Sequence, residues 1–98
     1  MTFSVQKERL TAVHEDGRPM GYITFPRIRP GLVNIGQVSV QAPFRGQGVE
    51  EAMLEALLSR LVQSGQKAAL TSPLAQQYVA KHPHFKQVLP GEMHFTAH

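Results

Sequence analysis

The stretch that decides the fold runs from Leu32 to Val49 and reads LVNIGQVSVQAPFRGQGV. Its apolar positions change phase, from odd-numbered residues in the first part to even-numbered residues in the second: Val33, Ile35, Val38 and Val40. Side chains of a strand alternate between its two faces, so a strand makes this change only through an irregularity such as a β-bulge. We therefore predict a bulged strand whose pairing is splayed near Gly36.

A glycine-containing turn and a long helix follow this strand. Residues 49–63 carry apolar side chains at steps of three and four, which is the pattern of an amphipathic helix: Met53, Leu54, Leu57, Leu58, Leu61 and Val62. Gly65 stands just past the last periodic residue, where helices commonly end. The sequence predicts the main helix of the protein here.

The turn before this helix, Arg45-Gly46-Gln47-Gly48, has the composition of an anion-binding loop. The first N–H groups of a helix have no partner within the helix, and the macrodipole adds about half a positive charge there. Gly46 and Gly48 allow successive N–H groups to converge, and Arg45 adds a fixed positive charge. The turn predicts an anion site, although an ordinary tight connection would also contain two glycines.

The rest of the chain predicts a sheet and a second helix. Asp16-Gly17 is a hairpin turn signal, and Ser72-Pro73 is a helix start in which Ser caps the helix and Pro takes its first position. The other predicted elements are strands at residues 9–13, 20–25, 67–70 and 85–89, a loop at 26–31 and a second helix that ends at His82-Pro83. The expected class is α+β, a mixed, mostly antiparallel sheet with two main helices.

Length and composition limit the classes of protein to consider. A chain of 98 residues is expected to form a single domain, residues 1–98. Its hydrophobic share of 42% and charged share of 17% indicate a soluble globular protein. A net charge of +3 favours anionic partners. The absence of cysteine, and an N-terminus unlike a signal peptide, make the cytoplasm the expected location and a membrane partner unexpected.

The order of bulged strand, Arg-Gly-x-Gly turn and long helix resembles motif A of the GCN5-related N-acetyltransferase (GNAT) superfamily. It is most similar to a very small single-domain subgroup, whose pattern continues with a short strand, Cys-Pro, an aromatic helix and His-Pro-x-aromatic. The matching segments here are Val38-Ser39-Val40, Arg45-Gly46-Gln47-Gly48-Val49, Ser72-Pro73 through Tyr78, and His82-Pro83-His84-Phe85. The resemblance implies a minimal GNAT-like fold.

The resemblance also implies an activity, the transfer of acetyl from acetyl-CoA to an unidentified amine by direct attack. The residues it assigns to acetyl-CoA are Val38, Ser39, Val40, Arg45, Gly46, Gln47, Gly48, Val49 and Glu50. In that superfamily the loop binds the pyrophosphate and the splayed strand contacts the pantetheine arm, where a main-chain N–H can polarise the thioester carbonyl. Tyr78 would donate a proton to the departing thiolate, or serve only as an aromatic anchor of the core.

Three departures from the family pattern bear on catalysis. Glu50 replaces the usual Gly or Ala, and a carboxylate about 4 Å from a phosphate costs roughly 1 to 4 kcal/mol unless it turns away. Ser72 replaces the subgroup's Cys as a candidate catalytic residue, and a helix cap is the competing interpretation because a hydroxyl is a weaker nucleophile. Residues 36–39 lack the His and acidic residue of relatives, which leaves His14, Glu15 or a water relay as the base.

Two further interpretations stay open, and a metal site is not expected. The departures would also fit a catalytically degenerate fold kept as a binding module. A basic patch for nucleic acid would need the arginines of the turns to gather on one side: Arg18, Arg27, Arg29 and Arg45. The acidic main helix, with Glu50, Glu51 and Glu55, suits nucleic acid poorly.

The histidines do not form a metal-ligand pattern: His82, His84, His94 and His98. We therefore expect acetyl-CoA as substrate and no metal. A homodimer is a further expectation, because a second copy could supply the acceptor wall that N-terminal segments provide in relatives.

Overall fold

The computed structural model describes residues 1–91, and its strands and helices follow one another in this order. They are β1 Thr2–Gln6, β2 Arg9–Val13, β3 Pro19–Thr24, β4 Arg27–Arg29, β5 Leu32–Ile35, β6 Gln37–Val40, α1 Val49–Ser64, β7 Lys67–Leu70 and α2 Pro73–Lys81. Short 3-10 helices span Ala42–Phe44 and Pro83–Val88. His94 and His98 lie outside the described residues.

The strands form two sheets that part at Gly36. In the first, β1, β2, β3 and β6 are neighbours in that order and all pairs are antiparallel. In the second, the order is β4, β5, β7, and β5 pairs with β7 in parallel. The predicted bulged strand with splayed pairing is confirmed, and the break is complete enough to divide that strand between the two sheets.

The phase change in the sequence explains this division. Val33 and Ile35 are buried before the break and Val40 is buried after it, so both halves of the strand contribute to one core. Main-chain bonds to Thr24 hold the break in place. Its carbonyl accepts the Gly36 N–H at 3.2 Å, and its hydroxyl accepts the N–H of Gln37 at 3.1 Å.

Helix α1 supplies the centre of the core. Six of its side chains are at most 2% exposed: Val49, Met53, Leu54, Leu57, Leu58 and Leu61. They pack on β2, β3, β6 and β7, and each such burial contributes about 1.5 to 3 kcal/mol. The helix ends at Gly65, which adopts a left-handed conformation as the sequence predicts. This packing fixes the N-terminus of α1 at the end of β6.

Two elements were missed because tertiary pairing creates them. Residues 26–31, predicted as a loop, contain β4, whose side chains are all exposed. Strand β1 also shows little burial, and it is held in register by β2. Edge strands of this kind carry a weak apolar pattern, because main-chain pairing with a neighbour holds them and their side chains face solvent.

One prediction near the C-terminus was wrong. The strand expected at residues 85–89 is a 3-10 helix, Pro83–Val88, in which the Phe85 N–H bonds to the His82 carbonyl and Phe85 and Val88 pack into the core. The spacing of Leu74, Tyr78 and Lys81 predicts that they share one face of α2, and all three line the same cleft, although Leu74 is 43% exposed. The buried face of α2 consists of Ala75, Tyr78 and Val79.

We expect Gly21→Ala to lower the free energy of unfolding by about 2 to 3 kcal/mol, measured by urea denaturation. A Cβ at Gly21 would overlap the carbonyl oxygen of Ser39 and approach Met53 Cε to 3.2 Å, so β3 and β6 would have to separate. The matched control is Gly36→Ala, where the nearest atom would be Asn34 Nδ2 at 3.3 Å, the end of a side chain that can rotate. Equal losses in the two variants would contradict the close approach of β3 and β6.

Candidate functional site

The turn Arg45–Gly48 and the start of α1 present main-chain N–H groups without protein partners. Gly46 and Gly48 have φ values of 79° and 78°, in the left-handed region that glycine adopts without strain. Gly48 is the N-cap and offers no capping side chain. The first bond of the helix joins the Ala52 N–H to the Gly48 carbonyl at 3.0 Å. Within residues 1–91, the N–H groups of residues 46–51 therefore have no acceptor.

The space in front of this turn is open. A Cβ placed at Gly46 or Gly48 would meet no atom within 4 Å. The polar side chains of the turn bond to the main chain beside it: Gln47 Nε2 donates to the Pro43 carbonyl at 3.3 Å, and Arg45 Nε donates to the Val40 carbonyl at 3.5 Å. The turn is thus fixed to the end of β6, and its N–H groups remain the donors available to an anion such as a diphosphate.

A second feature is the unpaired edge of β6. This strand pairs with β3 on one side, and no strand of the described chain pairs with its other side. In the second sheet the last acceptor is the Ile35 carbonyl at the end of β5, which accepts the N–H groups of Thr71 at 3.1 Å and Ser72 at 3.2 Å after β7. Beyond that point the chain enters α2. An opening therefore lies between β6 and the start of α2, with residues 38–40 along one side and the Arg45–Gly48 turn at its far end.

Polar side chains surround the closed end of this opening. Thr71 Oγ1 donates to Asn34 Oδ1 at 3.2 Å and so joins β5 to the residue that follows β7. Neither residue was predicted as part of the site. No short motif connects positions 37 residues apart, so only the parallel pairing of β5 and β7 reveals the contact.

Ser72 is buried at 4% exposure and caps α2. Its Oγ accepts the Ala75 N–H at 3.4 Å, as the helix-cap interpretation predicts. No histidine or carboxylate of residues 1–91 bonds to this hydroxyl. The surroundings of Ser72 therefore contain no group that would activate it as a nucleophile.

Tyr78 joins the two helices. It is 8% exposed, and its hydroxyl donates to Glu55 Oε1 at 2.8 Å. Burial, and next the hydrogen bond to Glu55, raise the pKa of Tyr78 to about 12. Its ring also lies 4.1 Å from the His82 ring, centroid to centroid. Glu55 was missed as a site residue, because the sequence shows it only as a polar position on an amphipathic helix.

Glu50 does not turn out into open solvent. Its side chain is partly buried and lines a narrow cleft of about 80 Å³ between the N-terminus of α1 and helix α2, together with Glu51, Tyr78 and Lys81. No cation of residues 1–91 lies within ion-pair distance of it. The carboxylate therefore has no ion-pair partner within 4 Å beside the turn that would receive an anion, although Lys81 lines the same cleft.

The residues considered as bases lie at the wrong end of the opening. His14 is next to Phe44, with ring centroids 5.4 Å apart, and its Nδ1 lies 3.1 Å from Asp16 Oδ1. Glu15 belongs to the same exposed hairpin turn. This turn adjoins the Arg45–Gly48 end, whereas the break at Gly36 is a four-residue strand away, roughly 13 Å.

The single basic patch that nucleic-acid binding would need is not formed by these arginines. Arg18 lies 5.1 Å from the Phe44 ring, at the same end of the molecule as Arg45. Arg27 and Arg29 lie in β4, beyond the other end of the six-residue strand β3, which separates the two pairs by roughly 20 Å. The arginines named by the sequence analysis therefore form two groups, because β3 runs between them.

No three His, Asp or Glu side chains of residues 1–91 come together in a way that would hold a metal ion. None of the helices within that range combines the length and the apolar character that a membrane crossing requires.

Residues 9–88 match the sequence model of the GCN5-related N-acetyl-transferase family. The fold is similar to a GCN5-like protein from Staphylococcus aureus, with a TM-score of 0.71 and 19% identity over 99% of this chain and 96% of that one. It is also similar to a Mycobacterium tuberculosis protein in complex with CoA (TM-score 0.62, 22% identity, 78% of this chain, 47% of that one). No curated protein sequence gives a significant match.

The Escherichia coli GNAT family N-acetyltransferase YhbS, also solved with CoA, has a TM-score of 0.58 and 20% identity over 79% of this chain and 43% of its own. The chain spans less than half the length of these two CoA complexes. The segment that matches the family model contains the divided strand, the Arg45–Gly48 turn and both helices. The chain belongs to the GCN5-related N-acetyltransferase family, a family of acetyl-CoA-dependent acetyltransferases.

Proposed function

We propose that this chain binds acetyl-CoA and transfers its acetyl group to an amine by direct attack. The observation that carries the proposal is the row of unpartnered N–H groups at residues 46–51, at the end of the opening beside β6. A helix N-terminus with a left-handed glycine turn suits a diphosphate, because the donors are fixed before the ligand arrives. The family to which the chain belongs supports the same ligand.

The residues assigned to the ligand divide into two groups. N–H groups of Gly46, Gln47, Gly48, Val49 and Glu50 would hold the diphosphate, with Arg45 at the rim. Main-chain groups of Val38, Ser39 and Val40 would hold the pantetheine arm, since that edge of β6 has no strand partner. One N–H there would polarise the carbonyl that is attacked.

Bound acetyl-CoA supplies an activated thioester, so that the amine nitrogen gains the acetyl group, the C–S bond breaks, and the proton released by the amine balances the one taken up by the thiol. Ser72 serves as a cap in this scheme, which favours direct attack over a covalent relay. The Tyr78 hydroxyl remains bonded to Glu55, where it fixes α2 against α1. Among residues 1–91 no histidine or carboxylate bonds to the chain at Gly36 or Gln37, so we propose that water removes the proton of the amine.

A binding module without catalysis is the second candidate, and Glu50 is the observation that favours it. A carboxylate without an ion-pair partner in the cleft opposes an anionic ligand. Binding of acetyl-CoA without turnover of any amine would select this alternative. Nucleic-acid binding receives no support from the separated arginines.

We expect Gly48→Asp to weaken acetyl-CoA binding at least about tenfold in titration calorimetry. The new carboxylate would accept hydrogen bonds from the free N–H groups of the helix and add a negative charge where the diphosphate should lie. The matched control is Gly65→Asp at the other end of α1, where φ is also left-handed and the space is also open. If both variants bind acetyl-CoA like the wild type, the Arg45–Gly48 turn is not the anion site.

We expect Glu50→Gln to tighten acetyl-CoA binding about fivefold, because it removes roughly 1 kcal/mol of repulsion. Glu51→Gln is the control, since Glu51 is more exposed and contributes the same favourable charge to the first turn of α1. Its effect should be clearly smaller. Equal affinities of wild type and Glu50→Gln would show that the carboxylate points away from the ligand.

We expect Tyr78→Phe to abolish the late step of a tyrosinate absorbance titration, near pH 12. Glu55→Gln should move that step to lower pH, because it removes the charge that opposes ionisation. The folded pKa lies above the ordinary value of 10.0, so wild-type stability falls as pH rises through this window, and Tyr78→Phe should lack that fall. Tyr22→Phe is the control that keeps the late step.

The same variant tests the role of Tyr78 in transfer. If the hydroxyl fixes the helices, kcat of Tyr78→Phe should fall less than about tenfold. A general acid contributes about 100-fold or more, so a loss of that size at unchanged acetyl-CoA affinity would assign proton donation to Tyr78.

A further inference from the structure

The face of the four-stranded sheet that is turned away from α1 is polar, and the proposed function leaves it unused. The strand register aligns one hydroxyl-bearing side chain from each strand: Ser4, Thr11, Tyr22 and Ser39. The neighbouring row holds amide, hydroxyl and guanidinium groups: Gln6, Arg9, Thr24 and Gln37. Much of this face lines an open groove of about 1070 Å³.

The groove reaches the point where the sheets part. Thr24 lines it, and Thr24 also makes the two bonds that hold Gly36 and Gln37 at the break. This is the end of the opening remote from the Arg45–Gly48 turn. The groove therefore ends at Thr24, beside the break, where the thioester would lie if the diphosphate binds at the turn and the pantetheine arm runs along residues 38–40.

Arg9 gives the groove a preference for anionic groups. Its guanidinium carbon lies 4.3 Å from the centroid of the Tyr22 ring, a cation–π distance, and no residue within 1–91 accepts a hydrogen bond from it. The nearby carboxylate of Glu8 accepts the Arg27 N–H at 2.9 Å and forms no ion pair with Arg9. The guanidinium is thus held against an aromatic ring with its planar donors free, the arrangement that binds a carboxylate or phosphate with two parallel bonds.

The charges around the groove also favour a ligand with an anionic group. The charged residues that line it are Lys7, Glu8 and Arg9, so its lining has one positive charge in excess. Such a groove repels an acceptor that carries several ammonium groups and attracts one with an anionic substituent. The hydroxyl row provides both donors and acceptors for the polar remainder of a small molecule.

We propose that the acceptor is a small amine that also carries an anionic group, a carboxylate or a phosphate, and that Arg9 binds this group in the groove. This inference rests on the proposed function. Arg9 acts as a specificity-determining residue: it positions the acceptor through a group that takes no part in the bond changes.

The kinetic test compares two acceptors of equal length, a straight-chain amino acid with a terminal amine and the corresponding alkylamine. Arg9→Gln should raise KM for the amino acid about tenfold or more, since it removes a charge-assisted hydrogen-bonded pair, and should leave its kcat and both constants for the alkylamine unchanged. Arg9→Lys keeps the charge but lacks the planar guanidinium, so its KM for the amino acid should lie between those of wild type and Arg9→Gln. Arg60→Gln, on α1 and away from this face, is the control with the same loss of charge.

A binding test needs no acetyl-CoA. Titration calorimetry should show that the amino acid, or an amine of similar length with a phosphate, binds the wild type and Arg60→Gln but binds Arg9→Gln about tenfold more weakly. The stronger of the two ligands identifies the anionic group. Equal affinities for wild type and Arg9→Gln would overturn the proposal, as would equal KM values for the two acceptors.

The outcomes separate this inference from the proposed function. Acetylation of alkylamines with no dependence on Arg9 would retain the transferase and reject the acceptor class. Failure to bind acetyl-CoA would reject the transferase, whereas calorimetry would still decide on Arg9. A second copy of the chain is the other molecule that could occupy this face, and analytical ultracentrifugation of wild type and Arg9→Gln tests for it. A dimer that dissociates on this substitution would make the face an interface between copies and overturn the proposal.

Discussion

The structure depends on the division of one strand at Gly36. The main-chain bonds from Gly36 and Gln37 to Thr24 transfer the chain from one sheet to the other while its apolar side chains stay in a common core. Every feature of the candidate site follows from this transfer. It frees one edge of β6, opens the space beside α2 and aims the chain at the turn that starts α1. A continuous strand would pair with β7 along its whole length and close that space.

The candidate site combines favourable and unfavourable electrostatics in a small volume. Free N–H groups at the start of α1 favour an anion, while Glu50 in the adjoining cleft opposes it. Tyr78 and Glu55 connect the two helices on the same side, and their bond places a buried phenol beside a carboxylate. Ligand affinity is therefore set by a balance of nearby charges, whereas the geometry is set by main-chain bonds and by packing of α1.

Local rules predicted the parts of the fold whose signal is local. Four features could be predicted because each depends on residues adjacent in sequence. They are the phase change at Gly36, the hairpin at Asp16-Gly17, the cap at Ser72 and the end of α1 at Gly65. The strands β1 and β4 were not, since pairing with a neighbour stabilises them more than their own composition. The contacts of Glu55 with Tyr78, of Asn34 with Thr71 and of Arg9 with Tyr22 join distant segments, so only the folded chain shows them.

Recognition by main-chain donors has a consequence for divergence within the family. The proposed diphosphate turn, which uses backbone N–H groups, constrains the conformation of residues 46–48 and leaves most side chains around it free to change, apart from the glycines themselves. Such a site persists while the surrounding sequence drifts. The acceptor groove, built from side chains, has no such protection and is where relatives with the same fold are free to acquire different substrates.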